Sequence, residues 1–395
     1  MSFESYLAAA GILLVLSVFA NQISGRFGIP SLLLLLGLGM FAGSFGQLDI
    51  VGDRLTNHIG TIALIFILFN GGLLTSWKTV RSDLGRGVVL SSVGVFITAG
   101  TLFISCFYLL KMPLEISLLL STIVSSTDAP AVFSLLKMSR ICLKPRVRSL
   151  LEFESASNDP AAVLLTAAAL SYVVRPQLDF SWLADFFLEQ ILFGLFFGAV
   201  TGLAGSFLLH RYKFSFPGLY PVFSIGIALL AYSLPVLFGG SGYLAVYICG
   251  IFIGNSPFLY RRNFLRFNDS LNWIMQIGMF LILGLLVKPA HFAVLLPAAA
   301  ATSAFLILLA RPLAVFVCLY GSSFSFSQQI LIAWAGLKGA VPIILATYPL
   351  MQNLPQAQYI FNLVFFLVLI SVLVQGTALP LLARSLTPQK GPKNE

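Results

Sequence analysis

Charge is scarce in this chain. Asp, Glu, Lys and Arg make up only 9% of its 395 residues, whereas a soluble globular domain carries about 25%. That deficit excludes a soluble globular protein. Histidine is nearly missing too. His58, His210 and His291 stand far apart with no ligand spacing between them, which argues against a transition-metal centre. Of four cysteines, Cys106, Cys249 and Cys318 fall in apolar stretches and Cys142 in a basic loop, so no disulfide framework is implied. The first apolar run lacks a basic leader and a small-residue cleavage site, so no cleavable signal peptide is expected.

What the chain has in excess is hydrocarbon. Hydrophobic residues make up 58% of it and its mean hydropathy is +0.95. A spanning helix needs roughly 20 mostly apolar residues. About 13 such segments can be read, centred near residues 13, 37, 67, 98, 124, 161, 195, 228, 248, 279, 301, 338 and 370. The expected fold is an all-α polytopic membrane protein.

The formal charge of +9 invites a polyanionic partner, but its distribution argues against nucleic acid. Arg26, Lys78, Arg81, Arg86, the five basic residues between Lys137 and Arg148, Arg211, Lys213, Arg261, Arg262, Arg266, Arg311, Arg384, Lys390 and Lys393 collect in loops on one side. Arg54, Lys111, Arg175 and Lys288 fall on the other. By the positive-inside rule this places the N-terminus outside and the C-terminus in the cytoplasm. Lys338 is then the basic residue within a span. Asp128, Glu154 and Asp159 are the deep acids, and Glu152 stands at a helix entrance. Ionised groups in hydrocarbon cost several kcal/mol each, so they mark function, and the expected task is moving an ion.

An internal repeat converges on the same residues. Gly39-Met-Phe-Ala-Gly43-Ser44 matches Gly250-Ile-Phe-Ile-Gly254-Asn255 at an offset of 211 residues. The same offset lays Thr127 on Lys338 and Ala129-Pro130-Ala131-Val132 on Ala340-Val341-Pro342-Ile343. Two oppositely oriented six-span halves joined by the seventh span form the inverted-repeat architecture of secondary transporters, whose substrate sites lie at broken helices near the midplane. Ser125-Ser126-Thr127-Asp128-Ala129-Pro130 combines helix-capping residues with a proline. Gly336-Leu337-Lys338-Gly339-Ala340-Val341-Pro342 supplies two glycines and a proline. Each is expected to break its helix, with Asp128 offsetting an exposed amino end and Lys338 an exposed carboxyl end.

The sixth span carries Leu151-Glu-Phe-Glu154-Ser155-Ala-Ser-Asn158-Asp159-Pro160. Ser155 and Asp159 share one helix face, and Glu154 and Asn158 the adjoining one. Carboxylate, hydroxyl and amide oxygens suit a dehydrated alkali cation better than a soft metal. Burial disfavours the ionised carboxylate, so proton and cation can compete for Asp159. Glu154 is the expected partner of Lys338, because either charge alone would be expensive.

Ser126-Thr127-Asp128, then Glu154 to Pro160, then Gly336 to Pro342 resemble the signature segments of NhaP-type sodium or potassium/proton antiporters of the monovalent cation:proton antiporter-1 family. The longer runs are most similar to its bacterial potassium/proton branch. The resemblance implies a homodimer in a bacterial inner membrane, K+ or Na+ and H+ as substrates, and no cofactor or enzymatic activity. It also implies an interface bundle of residues 1–78 and 219–290, an ion-transporting core of 87–172 and 292–384, and a connecting helix at 180–209. Asp159 would carry cation and proton alternately, with Thr127, Ser155 and Asp128 near the ion. Asn158 stands where electrogenic relatives carry a second aspartate, which implies electroneutral one-for-one exchange.

The chain departs from the family pattern in three places. Lys338 replaces the usual arginine and cannot form the same two-pronged fork with Glu154. Ala156 replaces a glycine. The chain ends at Lys393-Asn394-Glu395, so no cytosolic regulatory domain is expected. Two other classes are less compatible with the sequence: a cation channel would want a pore lined by carbonyl or charge rings, and no such filter segment is present. An intramembrane aspartyl enzyme using Asp128 and Asp159 is chemically conceivable, but Lys338 works against a proton-sharing dyad.

Overall fold

The computed structural model describes residues 3–27, 31–46, 53–77, 81, 83–139, 141–177, 179–287 and 292–386. Lys78, Arg140, Lys288, His291, Lys390, Lys393 and the chain end, together with the side chains of Arg26 and Arg54, lie outside what is described. Every regular element among the described residues is helical.

In chain order these are α1 (Phe3–Phe27), α2 (Ser31–Gly46), α3 (Asp53–Leu74), α4 (Leu84–Ser91), α5 (Val93–Ile104), α6 (Leu114–Ile123), α7 (Ala129–Met138), α8 (Pro145–Val174) and α9 (Phe180–Arg211). There follow α10 (Leu219–Leu237), α11 (Gly242–Gly254), α12 (Arg261–Leu286), α13 (Phe292–Phe305), α14 (Arg311–Cys318), α15 (Phe326–Trp334), α16 (Ala340–Leu345), α17 (Tyr348–Met351) and α18 (Ala357–Leu386). A π-helical turn, Ser105–Leu109, prolongs α5, and a second, Leu306–Ala310, joins α13 to α14.

This is a multi-pass membrane protein. Length and hydropathy mark eight segments among the described residues as able to cross a bilayer, against about 13 expected. The difference has a physical origin. α2 and α11 are short, α6 with α7 and α15 with α16 are interrupted, and α8 carries Arg146, Arg148, Glu152, Glu154 and Asp159. The peripheral helices suit a lipid solvent: Leu14 and Phe19 on α1, and Leu192, Phe196 and Phe207 on α9, are exposed.

Glycines set the closest helix crossings. A Cβ on Gly39 of α2 would fall on Leu281 O and Gly284 of α12, and one on Gly284 would fall on Leu36 O and Gly39. The same reciprocal contact joins α3 and α11. A Cβ on Gly72 would fall on Tyr247 O and Gly250, and one on Gly250 on Phe69 O and Gly72. Small residues let the backbones touch where no side chain could fit. Further along α9, Gly198 and Gly202 lie against Ala245 and Cys249 of α11 in the same way.

The helices pack as two groups. α2, α3, α10, α11 and α12 pack on one another, with α9 against α10 and α11. α4 to α8 and α13 to α18 form the second group, within which Leu90, Val132, Leu150, Val315, Leu331 and Leu379 belong to one buried apolar cluster. The groups meet where α3, α11 and α12 face α8, α16 and α17.

Candidate functional site

Two helix breaks cross in the middle of the molecule. The first lies between α6 and α7. Asp128 caps α7, its Oδ1 accepting from Ala131 N at 3.1 Å, with Pro130 in the first turn. The second lies between α15 and α16, where Gly336-Leu337-Lys338-Gly339 leaves the helix. Asp128 N donates to Leu337 O at 2.8 Å, so the breaks are joined backbone to backbone. Gly339 has no room for a side chain, because a Cβ there would overlap the Asp128 carboxylate.

α8 runs beside this crossing and satisfies it. Ser155 Oγ donates to Thr127 O at 2.9 Å and accepts from Ala129 N at 2.9 Å. Asn158 Nδ2 donates to Thr127 Oγ1 at 2.6 Å, while Asn158 Oδ1 accepts from Thr127 N at 3.4 Å. Ser155 and Asn158 thus take up polar groups that the first break strips from a helix. Asp159, on the Ser155 face, is 9% exposed, and its Oδ1 has no hydrogen-bond partner. Ser126 Oγ stands beside that carboxylate and completes no hydrogen bond either.

Lys338 and Glu154 are not partners, contrary to the expectation from their charges. Lys338, 1% exposed, donates from Nζ to Ser126 O at 2.7 Å, near the carboxyl end of α6. Glu154 is held by Arg311, whose Nη2 donates to Oε2 at 2.8 Å while Nη1 stands 2.6 Å from Oε1. The charge distribution places Arg311 among the loop residues of the cytoplasmic side, and the structure does not keep it there. It is 3% exposed and opens α14 directly after a π-helical turn, with Pro312 in the first turn where proline is tolerated. Its guanidinium packs on Gly336, where a Cβ would collide with it. Arginine's planar fork suits the buried pair better than the lysine ammonium.

A third layer of support comes from α18. Ser371 Oγ accepts from Lys338 N at 3.1 Å and donates to Gln375 Oε1 at 2.6 Å. Gln375 Nε2 donates to Trp334 O at 3.0 Å, while Trp334 Nε1 donates to Gln375 O at 3.2 Å. These side chains anchor the second break from outside.

A cavity of about 550 Å³ leads to the crossing. Its mouth holds the exposed pair Arg148–Glu152, at 2.8 Å, and Asp269 of α12. Ser126, Thr127, Asp128, Ser155 and Asp159 line its interior. Asn70 of α3 also lines it, 3% exposed and with an unpaired Oδ1. The structure therefore brings Thr127, Asp128, Ser155, Asn158 and Asp159 together, and sets Glu154 aside with Arg311. Asn70, Ser126 and Arg311 are the additions. An asparagine in the middle of an apolar helix was the available signal for the first, and the double serine before Thr127 for the second.

The family description "Sodium/hydrogen exchanger, transmembrane" matches residues 12–385. Over 397 residues the chain is 39% identical to the K(+)/H(+) antiporter NhaP2 of Shewanella sp. (strain ANA-3), covering 99% of this chain and 69% of that protein. It is 39% identical to the K(+)/H(+) antiporter NhaP of Alkalimonas amylolytica over 95% of this chain and 65% of the relative. The solved structure of the sodium proton antiporter MjNhaP1 from Methanocaldococcus jannaschii at pH 8 superposes with a TM-score of 0.83 at 25% identity, covering 95% of this chain and all of that one.

Proposed function

The chain belongs to the transmembrane sodium/hydrogen exchanger family, and from that premise we propose that it exchanges K+ or Na+ for H+, one for one, with Asp159 carrying either. The observation that bears most weight is the unpaired Asp159 oxygen at the end of a 550 Å³ cavity, between two crossing helix breaks. A buried polar oxygen without a partner is expensive unless something visits it.

The charge count favours a one-for-one cycle. Half-buried Asp128 and buried Glu154 and Asp159 stand with buried Arg311 and Lys338, so three carboxylates against two cations leave one negative charge about the crossing. One proton or one monovalent cation cancels it. The loaded forms cross the apolar contact between the helix groups easily, and the empty form is penalised by desolvation. That asymmetry converts shared binding into obligatory exchange. Asp159 Oδ1, Ser126 Oγ and Asn70 Oδ1 are the oxygens free to take a dehydrated cation, while Ser155, Thr127 and Asn158 shape the site through their mutual hydrogen bonds.

In this reading residues 87–172 and 292–384 form the moving core, residues 1–78 and 219–290 the static bundle of a homodimer, and 180–209 the connecting helix. The cavity mouth lies on the basic side, so with the N-terminus outside a bacterial inner membrane the conformation faces the cytoplasm.

The test is proton efflux from acid-loaded proteoliposomes at clamped membrane potential on adding K+, Na+ or Li+. Wild type should show cation-driven efflux and Asp159→Asn none. Efflux that persists in the variant would remove Asp159 from the carrier role, and a well-folded but silent wild type would overturn the antiport reading.

A further inference from the structure

The face opposite the cavity is closed by a ring of hydrogen bonds that runs from one helix group to the other and back. Tyr348 OH and Tyr243 OH stand 3.0 Å apart. Tyr243 OH donates to Thr61 Oγ1 at 3.4 Å, Thr61 Oγ1 donates to Asn57 Oδ1 at 3.3 Å, and Asn57 Nδ2 donates to Thr347 Oγ1 at 3.3 Å. Thr347 Oγ1 donates to Ile344 O at 2.7 Å. With Tyr348 donating to Tyr243, the donations run in one direction from Tyr348 to Thr347, and the hydroxyls of Tyr243, Thr61 and Thr347 each both give and accept. Thr347 and Tyr348 are neighbours in sequence, so the chain closes on itself.

Its members are divided between the two groups. Asn57 and Thr61 belong to α3 and Tyr243 to α11, whereas Thr347 and Tyr348 follow the second helix break. The Tyr348–Tyr243 and Asn57–Thr347 bonds therefore cross the boundary along which exchange requires movement. Beside them, the space between Gly60, Met279, Leu283, Ile344 and Thr347 amounts to about 10 Å³, enough for about one water. On the other face the same boundary opens into 550 Å³.

We propose that this ring is the gate of the far face: it latches the group that carries Asp159 to α3 and α11 while the cavity is open, and it must part for Asp159 to be reached from the other side. The proposal rests on the antiport reading for the need to move, but not for the gate's existence. All five members are neutral. A charged lock would hold far more tightly, because breaking a buried ion pair is strongly destabilising, whereas neutral hydrogen bonds contribute little net and can be exchanged for water. Such a gate biases the equilibrium without freezing it. Each crossing bond removed should raise the population of the far-open state about fivefold, and both together about thirtyfold.

The reporter is Met279→Cys, at a position 2% exposed in the 10 Å³ crevice, on a Cys142→Ser background because Cys142 is the exposed native thiol among the described residues. Its rate of modification by a membrane-impermeant thiol reagent is measured from the face opposite the cavity mouth, in the full chain in proteoliposomes. Tyr348→Phe and Asn57→Ala should each accelerate labelling about fivefold, and the pair about thirtyfold. Tyr220→Phe removes a buried hydroxyl that has no partner, so it should leave the rate unchanged. Should Tyr348→Phe fold poorly, Tyr243→Phe breaks the ring at the next bond. Unchanged labelling in well-folded ring variants overturns the gate. Labelling needs no transport, so a silent exchanger with responsive labelling would remove the antiport reading and keep the gate.

Discussion

Arg311 and Glu154, 157 residues apart, meet as a fully buried pair, with Nη2 2.8 Å from Oε2 and Nη1 2.6 Å from Oε1. The contact ties the start of α14 to the middle of α8 and frees Lys338 to serve the crossing of the two breaks. Removing one partner leaves an uncompensated charge in a dry interior, at a cost of about 3–5 kcal/mol. Glu154→Gln and Arg311→Met should each lower the melting temperature in detergent. The double variant Glu154→Met with Arg311→Met should recover most of the loss, because replacing both charges by apolar groups is often close to neutral. A double variant as unstable as the sum of the singles would show that the pair does more than neutralise itself.

Gly339 is the tightest point of the site. Its missing side chain is what lets the Asp128 carboxylate cap α7 while the backbones of the two breaks join. Gly339→Ala should push the breaks apart, lowering stability by about 1–3 kcal/mol and cutting exchange at least tenfold through misplaced site atoms. Gly278→Ala on α12 meets nothing within 4 Å and should leave both unchanged. Exchange assays and melting curves on the two variants decide it. Wild-type behaviour in Gly339→Ala would mean that the crossing tolerates separation.

Asn70 reaches the cavity from the group that does not carry Asp159. If its amide oxygen helps to hold the cation, Asn70→Leu should weaken apparent cation affinity about tenfold, the loss expected for one hydrogen-bond-strength contact to a charge. The maximal rate and the melting temperature should hold, since nothing in the protein pairs with that oxygen. Titrating the cation concentration in the efflux assay separates affinity from rate. A fall in rate at unchanged affinity would assign Asn70 to movement instead of binding.

The sequence made the site's chemistry legible but not its pairing. Polar and charged residues in apolar surroundings stand out one by one, which is how Asp128, Thr127, Asn158 and Asp159 could be named, and a proline two residues after Asp128 signals a capped break with no knowledge of the fold. Which charge meets which is decided by distances between segments far apart in the chain, 157 residues in the case of Glu154 and Arg311. Glu154 was matched with Lys338, because Arg311 counted among the loop charges that the positive-inside rule gathers on one side. The π-helical turn that carries Arg311 inward has no comparable local mark. Ser371 and Gln375 were likewise hidden, since a serine and a glutamine on a long helix announce nothing until the backbone groups they serve, Lys338 N and Trp334 O, are placed beside them.

The glycine crossings offer a direct check on the repeat read from the sequence. Gly39 with Gly284, and Gly250 with Gly72, make the same reciprocal contact in two different helix pairs, and Gly39 and Gly250 are the residues that the 211-residue offset matches. If the two contacts are copies of one packing unit, filling either should cost the same. Gly39→Leu and Gly250→Leu should each destabilise the protein by about 1–3 kcal/mol through overpacking, with closely similar shifts in melting temperature. Gly37→Leu, two residues from Gly39 on the same helix but with nothing within 4 Å, should be neutral. Because Gly37 and Gly39 lie on the same helix and share its propensity, while only Gly39 is buried against α12, their difference isolates the crossing. Markedly unequal losses at Gly39 and Gly250 would mean that the sequence match records a shared preference for small residues and not a shared unit.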